Sequence, residues 1–291
     1  MLPESEAKLT RRQFLQKGRS LLAALLTAPP AAYLYARFTE PYFLQIKRVP
    51  LTLPRLPDAF SGFRVLQFSD VHLGFHFPLK RLQRLVAHMN ELGPDLVVFT
   101  GDLFDSKLFD EVAHSQALEQ LKAPFGKLAV LGNHDYYDAA DRTADVLTEG
   151  GFTVLRNAAV PLTRGTSRLW IAGVEDAWEG KPQLAKALAP TPADACRLLL
   201  SHAPDLADQA AGHGIDLQLS GHSHGGQVRL PFYGPVVTPP PFGRKYVMGH
   251  YQLPGGLQLY TNRGLGTSMQ PYRFFCRPEL TLFTLHAPSG G

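Results

Sequence analysis

Cysteine is scarce. The 291 residues hold only Cys196 and Cys276, each inside an apolar run (Cys196-Arg-Leu-Leu-Leu200 and Phe274-Phe-Cys276). Thiols so placed read as free core residues, which argues against a disulfide framework and against a closed structural zinc site built from thiolates. A dense block of Lys and Arg is also missing, as is any aromatic nucleic-acid motif. The formal charge of +4 therefore describes a solvated surface, and no specific nucleic acid partner is expected. The 26 Gly and 24 Pro are dispersed, which excludes a collagen-like or disordered block, and neither an internal repeat nor a low-complexity linker is present. The apolar run Ser20 to Ala36 covers 17 residues, the short limit for a spanning helix, and Pro29-Pro30 interrupts it. With 45% hydrophobic residues, the chain has enough to bury a full core as one large domain or two small ones.

Lys8, Arg11, Arg12, Lys17 and Arg19 stand ahead of or beside the start of that run, and Thr10-Arg-Arg-Gln-Phe-Leu15 resembles a twin-arginine export signal. Such signals are read by the twin-arginine translocase, which moves folded proteins. A basic amphipathic helix is the other reading of the same residues. Residues 1–44 are accordingly expected to form a signal or membrane-anchor segment. No clean small-x-small cleavage site follows, so removal and retention as an anchor through residues 20–36 both stay open. The expected location is the periplasm or cell envelope, with membrane association, and residues 45–291 are expected to form the catalytic domain.

Within 45–291, apolar strands end repeatedly in polar clusters. Ile46 to Leu53 reads as an early strand broken by Pro50. Phe63 to Ser69 delivers Asp70-Val-His72-Leu-Gly74, and Leu79, Leu82, Leu85, Val86 and Met89 then fall on one face of a helix stopped by Gly93-Pro94. Leu96 to Thr100 delivers Gly101-Asp102-Leu-Phe-Asp105. After a helix around 112–121, strand Lys127 to Leu131 delivers Gly132-Asn133-His134-Asp135. A helix over Asp141 to Glu149 and a strand over Leu169 to Val174 follow. Leu198 to Leu200 then delivers Ser201-His202, and Leu217 to Leu219 delivers Ser220-Gly-His222-Ser-His224-Gly-Gly-Gln227. In layered α/β folds the C-terminal strand edges converge over one crevice, so these clusters can meet. The segments 227–230, 257–261 and 280–285 read as short strands of a second sheet packed on the first. Pro231 to His250 reads as a long loop, either bordering the site or solvated.

Carboxylate, imidazole and amide oxygen together suit intermediate divalent ions such as manganese, iron or zinc. In their order and at their strand ends, Asp70-x-His72, Gly101-Asp102, Gly132-Asn133-His134-Asp135, His202 and Gly221-His222-x-His224 resemble the calcineurin-like metallophosphoesterases, from Phe63 to Leu285. Ser69 to Gly74, Ser220 to Gln227 and Asn262-Arg-Gly-Leu-Gly-Thr-Ser268 are similar to the exported bacterial phosphodiesterase branch. The resemblance implies an α/β fold, a four-layer αββα sandwich of two mixed β-sheets flanked by helices. It also implies two divalent metal ions, one held by Asp70, His72 and His224, the other by Asn133, His202 and His222, with Asp102 bridging both. A metal-bridging hydroxide would then attack a phosphoester, most simply a diester, with His134 as the acid and Asp135 orienting its ring. A membrane-proximal site makes a lipid or cell-envelope component the expected substrate. Some relatives cleave the pyrophosphate of UDP-2,3-diacylglucosamine in lipid A metabolism, which is the alternative enzyme reading; a scaffold or metal-binding protein that keeps the fold is the non-enzyme one. Asp105 is expected either beside the metal ligands or as a helix N-cap, and Arg244 and Arg263 either on substrate phosphate or in salt bridges. His76, His88, His114, His213, His250 and His286 are expected at the surface or in packing.

Overall fold

The central strands are apolar without alternation because both of their faces are covered. The structure, a computed structural model, describes residues 10–106, 109–239 and 243–288. Lys8 of the basic cluster, the side chains of residues 21–26 in the apolar run, and residues 240–242 of the long loop lie outside what is described.

In chain order the elements are α1 (Arg11–Phe38), β1 (Gln45–Thr52), β2 (Phe63–Phe68), α2 (Leu79–Glu91), β3 (Leu96–Thr100), α3 (Glu111–Glu119) and β4 (Lys127–Val130). Next come α4 (Asn133–Asp138), α5 (Ala140–Glu149), β5 (Phe152–Val154), β6 (Ala158–Arg164), β7 (Ser167–Gly173), α6 (Leu184–Leu188) and β8 (Arg197–Leu200). The last group is α7 (Ala207–Ala210), β9 (Leu217–Ser220), β10 (Arg229–Leu230), β11 (Gly234–Pro235), β12 (Gly249–Gln252), β13 (Gln258–Thr261) and β14 (Glu279–His286).

Two six-stranded sheets result, ordered β1-β14-β2-β3-β4-β5 and β12-β13-β9-β8-β7-β6. Both are mixed. In the first, only the β14–β2 pair is antiparallel; in the second, only the two outer pairs, β12–β13 and β6–β7, are. Alternate residues of each strand feed different cores. Val65, Val98 and Leu128 of the first sheet meet Ile171, Leu198, Leu200 and Leu219 of the second in the layer between the sheets. Leu66, Phe68, Val97 and Phe99 point the other way, onto Leu82 and Met89 of α2, Leu118 of α3 and Val146 of α5. On the far side, Ala172, Leu199 and Leu259 pack on Leu188 of α6 and Ala207 and Ala210 of α7. Helix, sheet, sheet, helix is the four-layer αββα sandwich that the motifs imply.

The strand assignments to sheets need correction. The second sheet does not come from the C-terminal remainder: it starts at β6 and takes β7, β8 and β9, with only β12 and β13 added later. Segment 280–285, as β14, enters the first sheet between β1 and β2, and segment 227–230 joins only the small hairpin β10–β11. The physical reason is that a buried parallel strand with a polar C-terminal cluster looks the same whichever sheet it joins. Pro50 does not break β1 either, since β1 is an edge strand paired only with β14 and its free side needs no N–H donor. Likewise α1 continues through Pro29 and Pro30, whose exposure leaves water to satisfy the freed carbonyls. Thr10 and Gln13 start α1 with a capping box. No helix among the described residues is long and apolar enough to cross a membrane.

Candidate metal centre

The strand ends of both sheets face one place. From the first sheet, β2 supplies Asp70 and His72, β3 supplies Asp102 and Asp105, and the turn from β4 into α4 supplies Asn133, His134 and Asp135. From the second, β8 supplies His202 and β9 supplies His222 and His224. Asp70, His72, Asp102, His222 and His224 all have positive φ, between 50° and 68°. For residues other than glycine that conformation is costly and persists only where the surroundings enforce it, so the loops are built around where these side chains must point. Glycine makes the approach possible: a Cβ on Gly221 would lie 2.0 Å from Ser69 Oγ and 2.3 Å from Asp70 Oδ2, so no larger residue fits.

Two overlapping sets of donors form in which every residue is buried, and their donor atoms lie within 4.8 Å of one another in each. Asp70, His72, Asp102 and His224 make the first; Asp102, His202 and His222 make the second, with Asp102 common to both. In the first, His72 Nε2 lies 3.0 Å from His224 Nε2 and 3.6 Å from Asp102 Oδ2, and His224 Nε2 lies 3.4 Å from Asp70 Oδ1. In the second, His202 Nε2 is 3.2 Å from each of Asp102 Oδ2, Asn133 Oδ1 and His222 Nδ1. Asn133 turns its oxygen inward because its amide nitrogen donates to the Tyr137 hydroxyl at 3.1 Å.

The outer contacts fix which ring nitrogens are bare. His202 Nδ1 donates to the Thr100 carbonyl at 2.7 Å, and His72 Nδ1 donates to Asp105 at 3.1 Å, leaving Nε2 of each ring turned into the cluster. Burial, reinforced by the neighbouring His202, pushes the pKa of His222 down to about 3, and burial likewise depresses His224, so both rings are neutral. Burial opposes charge on His202 too, yet Asp102 pulls its pKa well above the ordinary value. The field there favours a positive charge at Nε2. Bare imidazole nitrogens, an amide oxygen and buried carboxylates converging without enough protons to satisfy one another are the donor set of divalent cations, and these residues fit two such ions.

His134 and Asp135 part company. His134 is the one imidazole of the group with appreciable exposure, its side chain 20% accessible, and its Nδ1 donates to the Asp105 carbonyl, with the Asp105 carboxylate 3.9 Å away. Burial works against the imidazolium, but Asp102 and then Asp105 outweigh it and raise the pKa. Asp135 does not orient that ring, contrary to expectation. Its carboxylate accepts the backbone N–H groups of Gly132, Asp102 and Leu103 at 2.8–2.9 Å, which ties the β3 and β4 loops together. Adjacent helical residues do not face each other, so Asp135 points into the loops while His134 points outward.

Other expected residues find plain roles. Arg263 is buried and pairs with Glu279 at 2.5 Å, and Arg244 is exposed. The long loop borders the site at Gly243, where a Cβ would stand 3.3 Å from His222 Cδ2, and Ser223 Oγ donates to Val247 O. His76, His88, His213 and His250 are exposed, His286 is half-buried, and His114 is buried between Phe104 and Phe109. Cys196 and Cys276 are free and buried. Three contributors carried no legible signal in the sequence. Arg273, fully buried, reaches Nη2 to 3.4 Å from His224 Nδ1 while donating to the Arg263 and Gly266 carbonyls. Trp178 sets its ring edge-on to His222, and Tyr137 lies 4.8 Å from His134.

The profile of the calcineurin-like phosphoesterases matches residues 63–226, the span that carries every ligand just described. The chain belongs to that family. Over 96% of its length this phosphoesterase is 42% identical to the uncharacterized metallophosphoesterase YkuE of Bacillus subtilis, of which it covers 98%. It is 31% identical to phosphodiesterase YaeI of Escherichia coli, with 95% and 99% of the two chains covered. The similarity extends to UDP-2,3-diacylglucosamine pyrophosphatase LpxG of Chlamydia muridarum, 27% identical over 90% of this chain and 95% of that one. It is a metal-dependent hydrolase of phosphoesters.

Proposed function

We propose that this phosphoesterase is a phosphodiesterase that works at the membrane or in the cell envelope after export by the twin-arginine route, using two ions drawn from manganese, iron and zinc. One observation carries the reading: donors from two sheets converge around Asp102 while His134 is the one imidazole among them left open to solvent. When bound, such ions supply Lewis acidity toward phosphoryl oxygens and lower the pKa of water. Asp70, His72 and His224 would hold one and Asn133, His202 and His222 the other, with Asp102 available to both. His134 keeps its Nδ1 proton on the Asp105 carbonyl, so Nε2 is the atom that passes a proton to the leaving oxygen. Asp105 orients both His134 and His72, and Asp135 fixes the backbone that presents Asp102. Trp178 and Tyr137, both exposed, lie against the His222 and His134 rings.

Turnover of a generic aryl phosphodiester, measured with metal analysis and with and without chelator, tests this. Metal without turnover would leave a binding or scaffold protein. Replacing Arg11 and Arg12 by Lys should hold the chain in the cytoplasm; export of that variant would remove the twin-arginine route. A second reading, hydrolysis of the UDP-2,3-diacylglucosamine pyrophosphate in lipid A metabolism, is favoured by the similarity to LpxG along nearly the whole chain. Assay of that substrate beside the aryl diester separates the two.

A further inference from the structure

An exposed apolar area adjoins the metal centre, and three segments build it. The hairpin β10–β11 follows His224 directly in the chain; Pro235 packs on Gly226, and Arg229 N–H donates to the Phe274 carbonyl at 2.9 Å. Gln227 clamps the next loop, its side chain bonding Ser268 and Gln270 at 2.9–3.2 Å. The end of α1 rests on the same loop: Tyr33 meets Tyr272 and Tyr35 meets Phe274, each at 6.4 Å, and Arg273 N–H donates to Ala36 O at 3.0 Å. From this framework Phe232 projects fully into solvent, Met269 is 84% and Tyr233 74% exposed, and Leu34, Val237 and Phe275 are exposed with them. Large apolar residues grouped on adjoining segments mark an interaction surface.

Charge decides the occupant. All 25 carboxylate side chains of the sequence lie outside the stretches 7–39 and 217–278, which supply all three segments. Those stretches nevertheless contain Arg11, Arg12, Lys17, Arg19 and Arg37, and then Arg229, Arg244 and Arg277, while Lys245 is paired with Asp208. A second copy of the chain would set cations against cations. An anionic headgroup layer would complement them, while the aromatic and Val side chains enter the apolar boundary beneath.

We propose that the β10–β11 hairpin, the 268–275 loop and the end of α1 seat this phosphoesterase on an anionic phospholipid bilayer. The inference rests on the phosphodiesterase reading and deepens it: the metal centre would open at headgroup level, where a lipid-borne phosphodiester is presented. The test is sedimentation of the full chain with phosphatidylcholine vesicles, with or without roughly one third phosphatidylglycerol. The variant Phe232→Ser/Tyr233→Ser/Met269→Ser is compared, with α1 intact in both proteins so that its contribution cancels. The expected result is preference for the anionic vesicles, a fall of about tenfold or more in the variant's binding, and unchanged turnover of a soluble aryl phosphodiester without vesicles. Equal binding by variant and parent, or equal binding to both vesicles, overturns the surface. So does a dimer, seen by light scattering, that the triple substitution splits. Absence of soluble turnover in the parent chain would instead remove the phosphodiesterase reading and leave the vesicle result standing by itself.

Discussion

His134 and its neighbour show how far single residues can be read from sequence. Both were visible as chemistry-bearing, because an imidazole and a carboxylate directly follow a strand and a glycine. Their roles depend on direction, which adjacency hides: Asp135 serves four backbone N–H groups, whereas Asp105, almost thirty positions earlier, touches the rings of both His72 and His134. His134→Ala should retain both metals by elemental analysis and lose about 10²–10⁴-fold in turnover of a diester with a poor leaving group. Near-parental turnover would end its assignment as the acid. Asp105→Asn is predicted to lower activity or metal affinity by roughly 10–100-fold, because the carboxylate that fixes His72 in its ligand tautomer is lost. Arg273 lies at the other extreme of legibility. It sits in Tyr272-Arg-Phe-Phe275 with no motif around it, and only tertiary packing brings it to His224.

At the scale of elements, type was more legible than partnership. Each apolar run read as a strand within 63–219 became one, and the stripe Leu82, Leu85, Val86, Met89 became the buried face of α2, since periodicity reports burial. Which sheet a strand joins is a long-range choice. For β14 the choice is enforced by polar contacts inside the protein: Glu279 at its start accepts from Arg263 at 2.5 Å, from the Tyr260 hydroxyl at 2.6 Å and from Thr281 at 2.7 Å. Tyr260 and Arg263 belong to the second sheet and the loop after it, so one carboxylate ties together the facing surfaces of the two sheets. Glu279→Gln should leave Arg263 buried without its counter-charge and cost about 3–5 kcal/mol in urea unfolding. A loss below about 1 kcal/mol would mean that the cluster is not what holds β14 in place.

Across the whole molecule, the metal centre and the fold are parts of one arrangement. Asp70, His72, Asp102 and Asn133 come from the first sheet and its loops, and His202, His222 and His224 from the second; elsewhere the two sheets meet through the apolar layer between them and the polar cluster around Glu279. Cations held at this seam would therefore staple the sheets together and also relieve the buried carboxylates and imidazoles of one another. A ligand that binds only the folded chain stabilises it by mass action, about 2.7 kcal/mol per site at a hundredfold excess over its dissociation constant. Removing the ions with chelator should thus abolish turnover and lower the melting temperature by roughly 5 °C or more, and added divalent metal should restore both in parallel. Asp102→Asn, in the position common to both donor sets, should melt alike with and without chelator. If the parent chain's melting temperature ignored chelation while its activity vanished, the ions would act at a site that does not join the sheets, and the convergence around Asp102 would not be where they bind.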